Sequence, residues 1–146
     1  MIITFCGHSD YITCEADAEL IIKTIEEASN RQCVEFYLGG YGNFDNFARR
    51  CAKKYQEGHP DCKLYLITPY IDSNNRKLAE AQELYDDIIY PGLENVPKRF
   101  AISRRNEWMV NQADYVIAYI SRQHGGAYKT FLYAQKKGKP HTNIYG

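Results

Sequence analysis

Asp114-Tyr115-Val116-Ile117-Ala118-Tyr119-Ile120 is the clearest strand in the sequence. It is apolar almost throughout and rich in β-branched and aromatic residues, the pattern of a strand buried on both faces. Ser121-Arg122-Gln123-His124-Gly125-Gly126 follows, and Ala127, Thr130, Phe131 and Ala134 then recur at helical spacing over 127–137. Lys136 and Lys137 in the last turn, Gly138 beyond it and Pro140 after that mark the end of this helix. A buried strand that passes through a Gly-Gly loop into a helix is one step of a parallel α/β sheet.

The same step recurs upstream. Met1 to Cys6 reads as a buried strand, closed by Gly7. A helix is expected over 15–29, with Ala18, Ile21, Ile22, Ile25 and Ala28 on one face and Thr13 as its cap. Cys33 to Leu38 is a second strand and runs into Gly39-Gly40. Asn43 is the expected cap of a helix over 44–56, whose apolar stripe is Phe44, Phe47, Ala48, Cys51 and Tyr55. Lys63 to Thr68 is a third strand, stopped by Pro69. An irregular stretch over 70–76, a helix over 76–86 and a short strand from Asp87 to Tyr90 follow. The segment 91–100 holds Pro91, Gly92 and Pro97 and reads as a loop. A helix over 101–112 carries Ile102, Trp108 and Met109, and His141 to Ile144 suits a final short strand. Strands and helices alternating throughout predict a mostly parallel sheet with helices on both faces, a three-layer α/β sandwich. At 146 residues the chain suits a single domain, 1–146.

Composition narrows the function. Hydrophobic residues make up 45% and charged residues 25%, ordinary values for a folded soluble chain, which excludes disordered and collagen-like classes. No window approaches the ~18 apolar residues of a membrane span, and the first residues carry no secretory signature. A cytoplasmic protein with no membrane partner is therefore expected. The formal net charge is zero, yet residues 1–48 carry −6 and residues 97–146 carry +7. The neutral total makes nucleic acid an unexpected partner. The basic C-terminal third suits a small anion, and opposed end charges together with the 13 tyrosines suit a homo-oligomer. The five cysteines have no Cys-x-x-Cys spacing, and Cys6-x-His8 has no second half at ligand spacing. Neither a metal nor a bound cofactor is expected.

In parallel α/β sheets, ligands bind at the carboxyl ends of the strands. Gly7 and His8 end the first strand. Gly39-Gly40-Tyr41-Gly42-Asn43 joins a strand to a helix and lets backbone approach a ligand, while Asp45 in the first helical turn suits ribose hydroxyls better than phosphate. Gly125-Gly126 stands in the same context, with Lys129 and Thr130 in the first turn and no competing acid, which makes it the better phosphate cradle. Arg104 and Arg105 open a helix beside the 114–120 strand, and either guanidinium suits phosphate. The Gly-x-Gly-x-x-Gly and Walker A spacings are absent.

Taken in order, Phe5-Cys6-Gly7-His8-Ser9, Leu38-Gly39-Gly40-Tyr41-Gly42-Asn43-Phe44-Asp45, the run from Arg105 to Asp114, and Gly125-Gly126-Ala127-Tyr128-Lys129-Thr130 resemble the SMF/DprA–LOG (SLOG) superfamily, especially its small stand-alone YpsA/YspA-like branch. The resemblance spans nearly the whole chain. It implies a Rossmann-like single domain that binds a nucleotide or a nucleotide-derived ligand; members serve as sensor modules, DNA-processing proteins or phosphoribohydrolases. The hydrolase branch carries Gly-Gly-x-Gly-Thr-x-x-Glu, whereas Lys129, Thr130 and Phe131 stand here where Gly, Thr and the catalytic Glu would be sought. The first expectation is thus a module that senses or sequesters a nucleotide or NAD-derived molecule. The alternative that the resemblance implies is a nucleotide N-glycosidic hydrolase with Asp45 or Glu107 as its catalytic carboxylate, and the third is an interaction subunit with a vestigial pocket.

Overall fold

The computed structural model describes residues 1–71 and 76–146. Six strands, β1 (Ile2–Gly7), β2 (Glu35–Leu38), β3 (Lys63–Ile67), β4 (Asp87–Ile89), β5 (Tyr115–Tyr119) and β6 (His141–Asn143), form one sheet in the order β4-β3-β2-β1-β5-β6. Every pairing is parallel. The mostly parallel expectation is met in full, and the architecture is a Rossmann-like three-layer sandwich.

The period of two in each strand sorts its side chains between layers. Ile3, Phe5, Phe36, Leu38, Leu64 and Ile117 pack on one face with helices α1 (Glu15–Ser29) and α2 (Asn43–Gly58). Cys6, Val116 and Ala118 pack on the other face with α4 (Ala101–Gln112) and α5 (Gly126–Lys136). Helix α3 (Arg76–Leu84) contributes Ala81 to the first layer. The expected irregular stretch 70–76 lies partly outside the described residues.

Two expected caps are displaced by one residue. Cys14, not Thr13, is the N-cap of α1; its carbonyl accepts from the Asp17 and Ala18 amides at 3.1 and 3.2 Å, so Thr13 sits one position too early. Gly42, not Asn43, caps α2. Gly42 has φ +90°, and a Cβ there would lie 2.8 Å from Cα of Ser9, so a glycine must hold the turn and Asn43 becomes the first helical residue. The expected end of α5 stands: the amides of Gly138 and Lys139 donate to Gln135 and Ala134, with Gly138 at φ +67°. The loop over 91–100 contains a short 3₁₀ turn, Lys98–Phe100.

Of the three apolar residues named for helix α4, only Met109 is buried. Ile102 is exposed and Trp108 half-buried, while Ala101, Arg105, Met109 and Val110 are buried. Ala101, Arg105 and Met109 recur every four residues, so the cation lies on the core-facing stripe. The half-buried Trp108 stacks on Tyr37 of β2, ring centroids 5.8 Å apart.

Candidate functional site

The chain adds strands to one side of β1 up to β4 and then returns to add β5 and β6 on the other. The strand order therefore reverses between β1 and β5, where loops diverge and leave a crevice. A cleft of about 230 Å³ opens there. Its walls come from the end of β1, the first turn of α2, helix α4 and the first turn of α5.

The two helices that face this cleft begin alike. Gly42 has φ 90° and ψ 172°, and Gly125 has φ 93° and ψ 175°. Only glycine holds this conformation readily, and it aims the first amides of each helix outward. The two starts differ in what meets those amides. At α2, Asn43 donates to the Ser9 carbonyl at 2.9 Å, and Asp45 Oδ2 accepts from the Tyr41 amide at 3.0 Å. At α5, the first intrahelical bond runs from Lys129 to the Gly125 carbonyl, so the amides of Gly126, Ala127 and Tyr128 precede the ladder. A Cβ built at Gly125 or at Gly126 meets nothing within 4 Å. The α5 start is thus an open anion cradle, whereas at the α2 start Ser9 takes the first amide and the Asp45 carboxylate in the first turn disfavours a second anion.

Arg105 reaches the cleft from α4 and is 2% exposed. Its Nη1 donates to the carbonyls of Gly39 and Ile67, both at 2.8 Å, and its Nε donates to Asn106 Oδ1 at 2.9 Å. Nη2 has no hydrogen-bond partner among the described residues. The guanidinium is held by the ends of β2 and β3 with one edge left for a ligand.

Asp45 is the carboxylate of the cleft. Burial pushes its acid up to about 6, against the Tyr41 amide and the Arg105 guanidinium, which both favour the ionised form. Its neighbour on the cleft wall, Cys6, has its thiol pushed up to about 12, by burial first and by Asp45 second, so it is no nucleophile.

His8 is 3% exposed, and its Nε2 accepts from the Ser121 amide at 3.0 Å. A backbone amide only donates, so Nε2 is unprotonated and the ring is neutral with its proton on Nδ1. Burial lowers its pKa, and Arg122 and His124 lower it further while Asp10 opposes them. Arg122 donates through Nη1 to both Asp10 oxygens, at 3.0 and 3.1 Å. Its Nε is buried at the cleft with no partner among the described residues.

Of the residues singled out in the sequence, Gly7, His8, Asp45 and Arg105 line this cleft together with Gly125, Gly126 and Thr130. Thr130 Oγ1 donates to the Gly126 carbonyl at 3.0 Å, which commits its proton to the helix. Gly39 and Gly40 instead line an adjoining cavity of about 370 Å³, which shares Tyr41, Ile102 and Arg105 with the cleft. Asn43, Arg104 and Lys129 are exposed and Glu107 is half-buried, and none of the four lines either space. Asn106 and Arg122 were missed in the sequence. Arg122 carried a signal, a cation three residues ahead of the Gly-Gly turn. Among the described residues no cluster of three or more His, Cys, Asp or Glu is placed to hold a metal, and no helix is long and apolar enough to cross a membrane.

No family model matches the sequence, and no curated protein matches it. Solved structures match the fold. DNA processing protein A from Streptococcus pneumoniae superposes with a TM-score of 0.63 at 16% identity, over 95% of this chain and 48% of that one. DNA processing protein A from Helicobacter pylori, reported for its single-stranded DNA binding mode, superposes at 0.64 and 18% identity, over 97% of this chain and 63% of that one. The molybdenum cofactor carrier protein of Chlamydomonas reinhardtii gives 0.54 at 15% identity, over 96% of this chain and 73% of that one. The chain shares its fold with these proteins, and it spans 48% and 63% of the lengths of the two DNA processing proteins.

Proposed function

We propose that this protein binds a phosphorylated nucleoside or an NAD-derived molecule in the cleft at the carboxyl ends of β1 and β5, and so senses or sequesters it. The observation that carries this reading is the meeting of the open amides at Gly126 with the free edge of a buried Arg105. Oriented amides and a guanidinium fixed before the ligand arrives form an anion site that needs little rearrangement. Arg122 Nε and the His8 Nδ1 proton supply further donors on the same wall. Fold likeness to a cofactor carrier and to DNA-processing proteins fits a ligand-holding role at this cleft.

One observation favours a second reading. A cleft carboxyl with its pKa near 6 is poised as a general acid, so Asp45 suits protonation of a departing base in N-glycosidic hydrolysis. Glu107, outside the cleft, does not.

Native mass spectrometry of the purified protein and thermal shift against a nucleotide panel test binding. A ligand at 100 times its Kd should add about 2.7 kcal/mol. No co-purifying molecule and no shift with any nucleotide would leave an interaction subunit as the surviving reading. Overnight incubation with nucleoside monophosphates, followed by chromatography, tests hydrolysis; base released by the wild type and lost in Asp45→Asn selects the enzyme. A single-stranded oligonucleotide is included in the panel because a protein of the same fold binds one. The zero net charge favours the small molecule. Light scattering tests self-association.

A further inference from the structure

The adjoining cavity of about 370 Å³ is larger than the anion cleft, and Tyr41, Ile102 and Arg105 line both. At about 230 Å³ the cleft alone falls below the roughly 300–1,000 Å³ that enclose a whole small-molecule ligand, so a ligand anchored at Gly126 must extend beyond it. The direction open to it is past Arg105, between the ends of β2 and β3.

The walls there suit a flat ring. Leu66 and Ile102 give apolar surface, and Tyr41, Tyr70 and Tyr85 bring three aromatic side chains. Tyr41 is 66% exposed at the shared rim and pairs with no other ring among the described residues. A large exposed aromatic costs water ordering unless something covers it, and a base stacked on it is worth roughly as much as a good hydrogen bond. Arg105 presents a planar guanidinium fixed by the Gly39 and Ile67 carbonyls, the kind of group that takes a phosphate at its edge and a ring on its face. Tyr85 is 9% exposed, and burial raises its hydroxyl pKa to about 12, so it stays protonated as a neutral polar group at the cavity wall. Gly40, at φ +67°, keeps this wall in place, since a Cβ would lie 2.6 Å from Leu66 Cδ1.

We propose that this second cavity receives the planar ring of the same ligand whose anion lies at Gly126, and that it selects a purine-sized ring over a pyrimidine and over a bare sugar phosphate. The inference rests on the nucleotide reading above and adds the location and size of the base subsite. A purine offers more stacking area than a pyrimidine in a space this wide, while ribose 5-phosphate fills only the cleft.

Isothermal titration calorimetry of the full chain with ribose 5-phosphate, a purine and a pyrimidine nucleoside 5′-monophosphate tests it. The purine nucleotide is expected to bind about tenfold or more tightly than ribose 5-phosphate, with the pyrimidine between them. Tyr41→Ala should cut the purine-to-sugar affinity ratio at least about fivefold, and Tyr41→Phe, which keeps the ring, should restore it. Equal binding of ribose 5-phosphate and the purine nucleotide overturns the base subsite and leaves the anion cleft standing. A ratio untouched by Tyr41→Ala, or a pyrimidine that matches the purine, overturns it as well. Failure of all three probes, ribose 5-phosphate included, overturns the nucleotide reading itself.

Discussion

Asp45 and Arg105 face each other across Gly39 without forming an ion pair. A Cβ at Gly39 would lie 3.2 Å from Asp45 Oδ2 and 3.2 Å from Arg105 Nη2, so the bare Cα leaves a gap between the two charges. The ion pairs found among the described residues are Lys23–Glu27 and Arg122–Asp10. The guanidinium spends its Nη1 on strand-end carbonyls instead, and the carboxyl, half-buried and in no ion pair, has its pKa raised to about 6. The protein keeps a carboxyl and a guanidinium apart on the wall of its cleft, where a ligand can engage both.

Asp45 sets a pH dependence of unusual sign. Its folded pKa, about 6, lies above its ordinary 3.8, so the folded state binds more protons between these values and stability falls as the pH rises through that window. The penalty is absent below pH 3.8, complete above pH 6, and amounts to roughly 2–3 kcal/mol. Asp45→Asn removes it. Urea unfolding of both proteins at pH 4 and pH 7.5 should show the variant gaining on the wild type at the higher pH. A difference that stays flat would mean that the carboxyl is not desolvated.

His8 works in the other direction. Its folded pKa lies below the ordinary 6.5, so its neutral contribution is full above pH 6.5 and is lost as acidification loads the unfolded chain with protons. Ring-carbon chemical shifts across a pH titration should show His8 taking up its proton at a lower pH than a free imidazole. His8→Gln, which retains an acceptor for the Ser121 amide, should fold better than His8→Phe, which strands that amide. Titration of His8 at 6.5 or above would contradict the tautomer assigned to it.

Arg104 and Arg105 should separate cleanly. Arg105→Met leaves the Gly39 and Ile67 carbonyls without their donor, at about 1–3 kcal/mol for each buried acceptor. Arg104→Met changes an exposed side chain and should move stability by no more than about 0.5 kcal/mol. Chemical denaturation midpoints decide it, and equal losses would place the wrong arginine inside.

Gly7 and Gly126 make a second contrast. A Cβ at Gly7 would lie 2.3 Å from the Phe44 ring, so Gly7→Ala forces repacking worth about 1–3 kcal/mol. A Cβ at Gly126 meets nothing, so Gly126→Ala should fold with an unchanged melting temperature or a slightly raised one. Its methyl occupies the anion cradle, so nucleotide affinity should drop about tenfold or more. Undiminished affinity in this variant would move the phosphate elsewhere.

Much of the fold was legible because its signals are local. The strand at 115–119 and the helix that ends before Gly138 follow from side-chain periodicity and from one glycine that takes a positive φ, and neither needs a distant partner. The same local reading placed Gly7, Asp45 and Gly126 at strand ends and helix starts, where parallel sheets bind ligands. Local pattern also held a clue that went unread: Ala101, Arg105 and Met109 share a helical stripe, which puts one arginine of the adjacent pair inside. The rest belongs to the tertiary structure. The separation of Gly39-Gly40 from Gly125-Gly126 into neighbouring spaces, and the raised pKa of Asp45, depend on which segments meet. Those segments lie as far apart as residues 7 and 130 in the chain. Periodicity fixes which face of an element turns inward; only packing fixes what that face meets, and desolvation and hydrogen bonding follow from what it meets.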